Sequence, residues 1–174
     1  MAFGRNAAAG LAVLVLTLTG CGSPTEPAPS GESTAPVDGF HSGPCNLVTD
    51  DEVEEAAGTA IFRKVLSSDT GCFWQEDTML GSVGAGMGIS TWWYRGSDLD
   101  LERQLERDAG RTITELEMSG NQGFQAEDVN ACSIYVDKGN DVIAWSIQTL
   151  NPASLADLCG ITAELAQLSQ DRVN

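Results

Sequence analysis

The chain predicts an α+β domain with a mostly antiparallel sheet, on three observations: short alternating strand patterns, amphipathic runs near each end and in the middle, and four evenly used cysteines. The element order it implies is α-β-β-β-α-β-β-β-α, with helices packed on the sheet and two disulfides stapling it. This domain occupies residues 44–174, about 130 residues, enough for one core.

Thr49-Asp50-Asp51-Glu52 is a capping box, with Val48 and Val53 placed as a hydrophobic staple, and Gly58 is available to end the helix. The first helix therefore runs from about Asp50 to Ala57. Its acids are favoured by the helix dipole and need no cation. Strand character follows at Ile61 to Leu66, Cys72 to Gln75 and Val83 to Tyr94. In the third of these, Met87, Ile89, Thr91 and Trp93 alternate with Gly88, Ser90, Trp92 and Tyr94. The glycines from Gly84 to Gly88 lack the strand-then-helix setting of a phosphate loop and read as a bent strand or a close backbone approach.

Ser97 is placed to cap a second helix whose apolar stripe is Leu99, Leu101 and Leu105, ending before Gly110. Strands resume at Arg111 to Met118, Ala131 to Val136 and Val142 to Gln148, the last two joined by the turn Asp137-Lys138-Gly139-Asn140. Asn151-Pro152 opens the final helix, with Leu155, Leu158, Thr162, Leu165 and Leu168 at helical spacing.

The N-terminal segment carries an address. Arg5 precedes an apolar run from Ala7 to Leu18 that is too short to span a bilayer, and Leu18-Thr19-Gly20-Cys21 closes it as a lipobox. Residues 1–20 are thus expected to be a signal peptide. Cys21 is expected to become the mature first residue, carrying covalent diacylglycerol and N-acyl lipid. Two or more acyl chains make a stable anchor where one alone is marginal. Residues 21–43 are rich in Ser, Thr, Pro, Gly and Glu and read as a lipidated disordered tether, with a coil dimension on the order of 25 Å. The expected location is the cell membrane, lipid-anchored on its extracytoplasmic face.

Charge narrows the partners. Removing residues 1–20 removes Arg5 alone among charged residues, so eight basic side chains face 25 acidic ones and the formal charge moves from −16 to −17. No basic stripe exists for nucleic acid, nor a polybasic patch for anionic lipid. The expected partners are the membrane, through the lipid anchor, and an envelope protein or a lipid or glycan ligand.

With Cys21 assigned to lipid, Cys45, Cys72, Cys132 and Cys159 form an even set in an exported protein, which predicts two disulfides. None of their spacings makes a zinc half-site, so no metal is expected. Four cysteines allow three connectivities. One intervening strand reverses direction between the first helix and the second strand, so Cys45 and Cys72 share an end. The same reversal brings the final helix near the strand of Cys132. The preferred pairing is Cys45 with Cys72 and Cys132 with Cys159.

The only histidine, His41, lies in the tether, so Ser-His-Asp and Cys-His chemistry have no base within the domain. No other catalytic motif appears, and the expectation is a protein that is not an enzyme and needs no cofactor. The residues that stand out are Trp92, Tyr94 and Arg95. Alternation sends Trp92 and Tyr94 to one face of the sheet, where beside Arg95 they could stack a sugar ring or take an acyl chain or peptide. They are core residues instead if helices cover both faces.

Taken together, the lipobox, Pro44-Cys45 before the first helix, Gly71-Cys72-Phe73-Trp74, Trp93-Tyr94-Arg95-Gly96-Ser97, Glu106-Arg107 and the cysteines of a late strand and the last helix carry a likeness. They resemble the LprB-like family of small secreted actinobacterial lipoproteins, whose domain has no assigned function. The resemblance implies a membrane-anchored envelope lipoprotein and brings no catalytic residues with it. The leading functional reading is a non-enzymatic domain that binds a ligand or partner; the alternative is an enzyme or enzyme subunit acting on cell-wall glycan or lipid through carboxylates.

Overall fold

The computed structural model of the protein describes residues 40–58, 62–77, 86–151 and 157–174. Cys21, the signal segment and the tether before Phe40 lie outside the described residues, as do Ile61, Val83 to Ala85, and Pro152 to Ala156.

The elements are α1 (Asp50–Ala57), β1 (Phe62–Ser67), β2 (Gly71–Glu76), β3 (Gly88–Arg95), α2 (Leu99–Asp108), β4 (Thr112–Met118), β5 (Asn121–Glu127), β6 (Ala131–Asp137), β7 (Asp141–Gln148) and α3 (Leu158–Val173). All seven strands form one antiparallel sheet in the order β1-β2-β3-β7-β6-β5-β4. The α+β class, the three helices and the antiparallel sheet are as the sequence predicts. The strand block after α2 also contains β5, whose Asn121-Gln122-Gly123 start conceals a strand that buries Gly123, Phe124 and Ala126.

Local chemistry explains the helix ends. Thr49 caps α1 through the expected box, accepting from the Glu52 amide while Glu52 accepts from the Thr49 amide at 2.9 Å. Gly58 ends it at φ 93°, a conformation costly to any side chain. The cap of α2 is Asp98 rather than Ser97: the Asp98 carboxylate accepts from the Leu101 amide at 2.7 Å, and the Ser97 hydroxyl donates to Glu102 instead. In the described residues α3 begins at Leu158 under an Asp157 cap, so Cys159 sits in its first turn.

The first face of the sheet carries the main core. Trp74 and Trp145 stack there with centroids 6.0 Å apart, among Ile89, Ile134, Ile147 and Leu165. Above them lie α1, α3 and a turn at Pro44–Leu47 in which Cys45, Asn46 and Leu47 all have positive φ, 52°, 50° and 65°. Such a run costs L-residues about 1–2 kcal/mol each and persists only when its surroundings hold it. Here the Asn46 amide donates to Thr91 Oγ1 at 2.6 Å, the Ser169 hydroxyl donates to the Asn46 carbonyl at 2.9 Å, and Cys45 is bridged to Cys72. The second bridge joins Cys132 of β6 to Cys159 of α3. Both match the preferred pairing, with Cα separations of 5.0 and 5.2 Å.

At one end of the strands Lys138 is 1% exposed, donating to Asn174 Oδ1 at 2.6 Å beneath the ring of Phe40. Burial brings its amine down from 10.5 to about 8, against the pull of Asp137. Among the described residues no helix is long and apolar enough to cross a membrane.

Two outcomes follow from these contacts. Each bridge closes a sequence separation of 27 residues, and by the loop-entropy estimate a Cys132→Ser, Cys159→Ser double variant loses about 3 kcal/mol in urea unfolding. Between about pH 8 and 10.5 the unfolded chain holds a proton that folded Lys138 has released, so folding stability rises with pH across that window. In Lys138→Met this rise is absent and stability at pH 7 is higher than in the wild type, both read from denaturation curves.

Candidate functional site

The second face of the sheet is only half covered. Among the described residues its one helix, α2, has ten residues and packs on β4, β5 and β6. A helix about 10–12 Å across shields roughly two to three strands spaced at about 4.8 Å. Beneath it, Phe124 and Tyr135 stack at 4.6 Å with Leu99, Val142 and Ala144 around them. Beyond it, the face is open and concave, forming a cavity of about 630 Å³.

The strand register lays out the cavity floor. Phe73 of β2 stands opposite Ser90 of β3, Ser90 opposite Ser146 of β7, and Ser146 opposite Ser133 of β6. The next row reads Gln75, Gly88, Gln148 and Ala131. Gly88 is there because Phe73 lies across it: a Cβ at that position would sit 2.9 Å from Cε2 of the ring. The relation is reciprocal one step along, where a Cβ on Gly71 would meet the Trp92 ring at 2.5 Å. Two aromatic rings thus rest on glycines of the neighbouring strand, on the half of the face that α2 leaves open.

One wall of the cavity is a charged network that runs under α2. Arg111 donates to Ser133 Oγ at 2.9 Å and pairs with Glu106 at 3.3 Å and Asp128 at 3.4 Å. Ser133 in turn is 2.8 Å from Ser146 Oγ. Tyr135 donates to Glu106, and its hydroxyl is pushed upward by burial and then by that carboxylate. Tyr94 is raised the same way, first by burial, then by Glu102 and Glu106. Both phenols therefore stay neutral at physiological pH. The rim of the cavity is apolar, with Val129 78% and Leu150 90% exposed at the tips of two loops.

The three residues singled out from sequence are distributed differently. Trp92 is half-buried over Gly71, continuing the cavity face two residues beyond Ser90. Tyr94 joins the cluster under α2. Arg95 extends over the Trp93 ring at 5.4 Å and lies 3.9 Å from Asp141. None of the three lines the cavity, which is formed by Phe73, Ser90, Arg111, Ser146 and Gln148 with the two loops. The signal that could have found them was the placement of glycine beside aromatic residues on paired strands, visible only once the register is known.

A metal centre has one candidate among the described residues, Glu127 with Cys132 and Cys159. Its two sulfurs are joined to each other and offer no thiolate. The cavity itself carries one carboxylate among its described lining residues, Asp128, and Arg111 holds it.

Comparison with known proteins gives a family and no activity. The family model described as "Protein of unknown function (DUF3558)" matches residues 16–172. The chain is similar to proteins carrying the name lipoprotein LprB: 26% identical over 177 residues in Mycobacterium tuberculosis (strain ATCC 25618 / H37Rv), spanning 94% of this chain and 92% of that one. In Mycobacterium bovis the identity is 25% over 176 residues with the same coverage, and in Mycobacterium leprae 25% over 139 residues, 74% of this chain and 71% of the relative. No solved structure matches.

Arg111 is the joint between the covered and open halves of the second face. Its side chain is 15% and that of Glu106 12% exposed, between the surface and buried regimes, so Arg111→Ala is expected to cost about 2 kcal/mol in chemical denaturation. Adding Glu106→Gln to that variant removes the stranded charge and recovers part of the loss.

Proposed function

The chain belongs to the DUF3558 family of proteins of unknown function, and from that membership and the cavity we propose a lipid-anchored lipoprotein of the cell envelope whose domain binds a ligand without transforming it. The single observation that carries the binding reading is the cavity of about 630 Å³ on the open half of the second face. Its volume lies in the range of small-molecule sites, and it joins an apolar side to convergent polar groups. Its one described carboxylate is neutralised by Arg111, which favours binding over the alternative of glycan or lipid cleavage by a carboxylate pair.

The anchor reading rests on the lipobox ending at Cys21 and on the lipoprotein names of the relatives. The lipid on Cys21 would hold the domain at the outer side of the membrane, with the residues before Phe40 as its tether. Palmitate labelling of cells expressing the wild type and Cys21→Ala is expected to mark only the wild type; label on the variant would overturn the anchor.

The cavity reading is tested by a thermal-shift screen of a neutral fragment library against the wild type and Ser90→Trp, whose indole fills the floor. Ligand bound to the folded state alone raises the melting temperature. Fragments that stabilise the wild type and not Ser90→Trp are the expected outcome. Equal shifts in both, or none in either, would overturn it.

A further inference from the structure

We propose that the occupant of the cavity is a neutral, polyhydroxylated ligand, a short glycan segment with one sugar ring seated on Phe73; this rests on the ligand-binding reading above. The floor decides between a sugar and a lipid. Ser90, Ser146, Gln75 and Gln148 point the same way as Phe73 on adjoining strands, and the wall adds Asn130. Among the described residues no hydrogen bond engages the side chains of Ser90, Gln75, Gln148 or Asn130, while Ser146 meets only Ser133. An acyl chain laid over these groups would strip them of water and return nothing, a cost of about 1–3 kcal/mol for each buried group. Sugar hydroxyls, each both donor and acceptor, can satisfy amides and serine hydroxyls together.

Phe73 meets Gly88 through its Cε2–Cζ edge, and two residues beyond the floor Trp92 packs against Gly71, both rings half-buried, so aromatic surface is available both within the cavity and along its continuation. Met87, the other large apolar residue of the lining, is only 2% exposed and belongs to the core of the first face. Val129 and Leu150 stand at the rim and not on the floor.

Charge argues for a neutral ligand. The two charged residues among the described lining, Arg111 and Asp128, are paired with each other at 3.4 Å, and Arg111 is held by Glu106 as well. Among the described lining residues no charge is left over for a phosphate or carboxylate, and the chain's formal charge of −16 repels anions at a distance. An extended peptide added as a strand is disfavoured for a different reason. The floor strands β2, β3, β7 and β6 are all interior to the sheet, so their backbone groups are already paired and no edge is offered.

The test uses the full lipidated protein in phosphatidylcholine nanodiscs on a surface plasmon resonance chip. The analytes are chitotetraose, cellotetraose, neutral arabinogalactan fragments, polygalacturonate, and the cavity-binding fragments of the thermal-shift screen. At least one neutral oligosaccharide is expected to bind, with an affinity insensitive to sodium chloride. Binding is expected to weaken by about tenfold, near 1.4 kcal/mol, in Phe73→Ala. Gln148→Ala alters an exposed side chain, keeps the fold, and is expected to weaken the same sugar. If fragments respond to these two substitutions while the neutral oligosaccharides do not, the glycan inference is overturned and the cavity reading stands. If polygalacturonate binds in preference, the neutral class is overturned. If neither sugars nor fragments respond to either substitution, both readings fall.

Discussion

Everything distinctive in this domain depends on a mismatch between a wide sheet and few helices. Seven strands present two faces, and the first takes α1, α3 and the left-handed turn at Pro44–Leu47. Both disulfides serve that first face, one fixing the turn to β2 and the other fixing α3 to β6. Among the described residues a single ten-residue helix remains for the second face. It covers the β4–β6 side over Phe124 and Tyr135 and leaves the floor on β2, β3 and β7 in contact with solvent.

An open sheet face must be either polar or a contact surface, and this one combines the two in a defined pattern. Serines and glutamines occupy the positions that would otherwise be core, and the aromatic rings that remain pack against glycines. Arg111 marks the border between regimes. On the covered side it engages Glu106, which also accepts from Tyr135; on the open side it engages Ser133 and Asp128. The cavity is therefore attached through a hydrogen-bonded network to the helix that limits it, which keeps its wall in place without a ligand.

Much of the fold was legible because its signals are local. The capping box at Thr49, the alternation from Met87 to Tyr94 and the cysteine order each predict what the structure contains. β5 was illegible because its three buried residues, Gly123, Phe124 and Ala126, are interspersed with Gln122 and Gln125, so its strand state is imposed by β4 and β6. The cap of α2 shifted from Ser97 to Asp98 because adjacent oxygen-bearing residues compete for the same amides. The candidate site was least legible. Trp92 drew attention through its chemistry, but Phe73, Ser90 and Ser146 come together only through strand order, and β7 inserts beside β3 from about 55 residues away in the chain.

The central claim is that the part of the second face on β2, β3 and β7 is a preformed surface open to solvent while the first face is closed. The most direct measurement is paramagnetic broadening of backbone and side-chain NMR signals by a soluble, uncharged nitroxide. Strong broadening at Ser90, Ser146 and Gln148, with little at Ile89, Trp145 and Ile147 on the same strands, is the predicted result. Equal protection of both sets would mean that the second face is covered, and equal broadening would mean that the core of the first face is not closed; either would contradict the account.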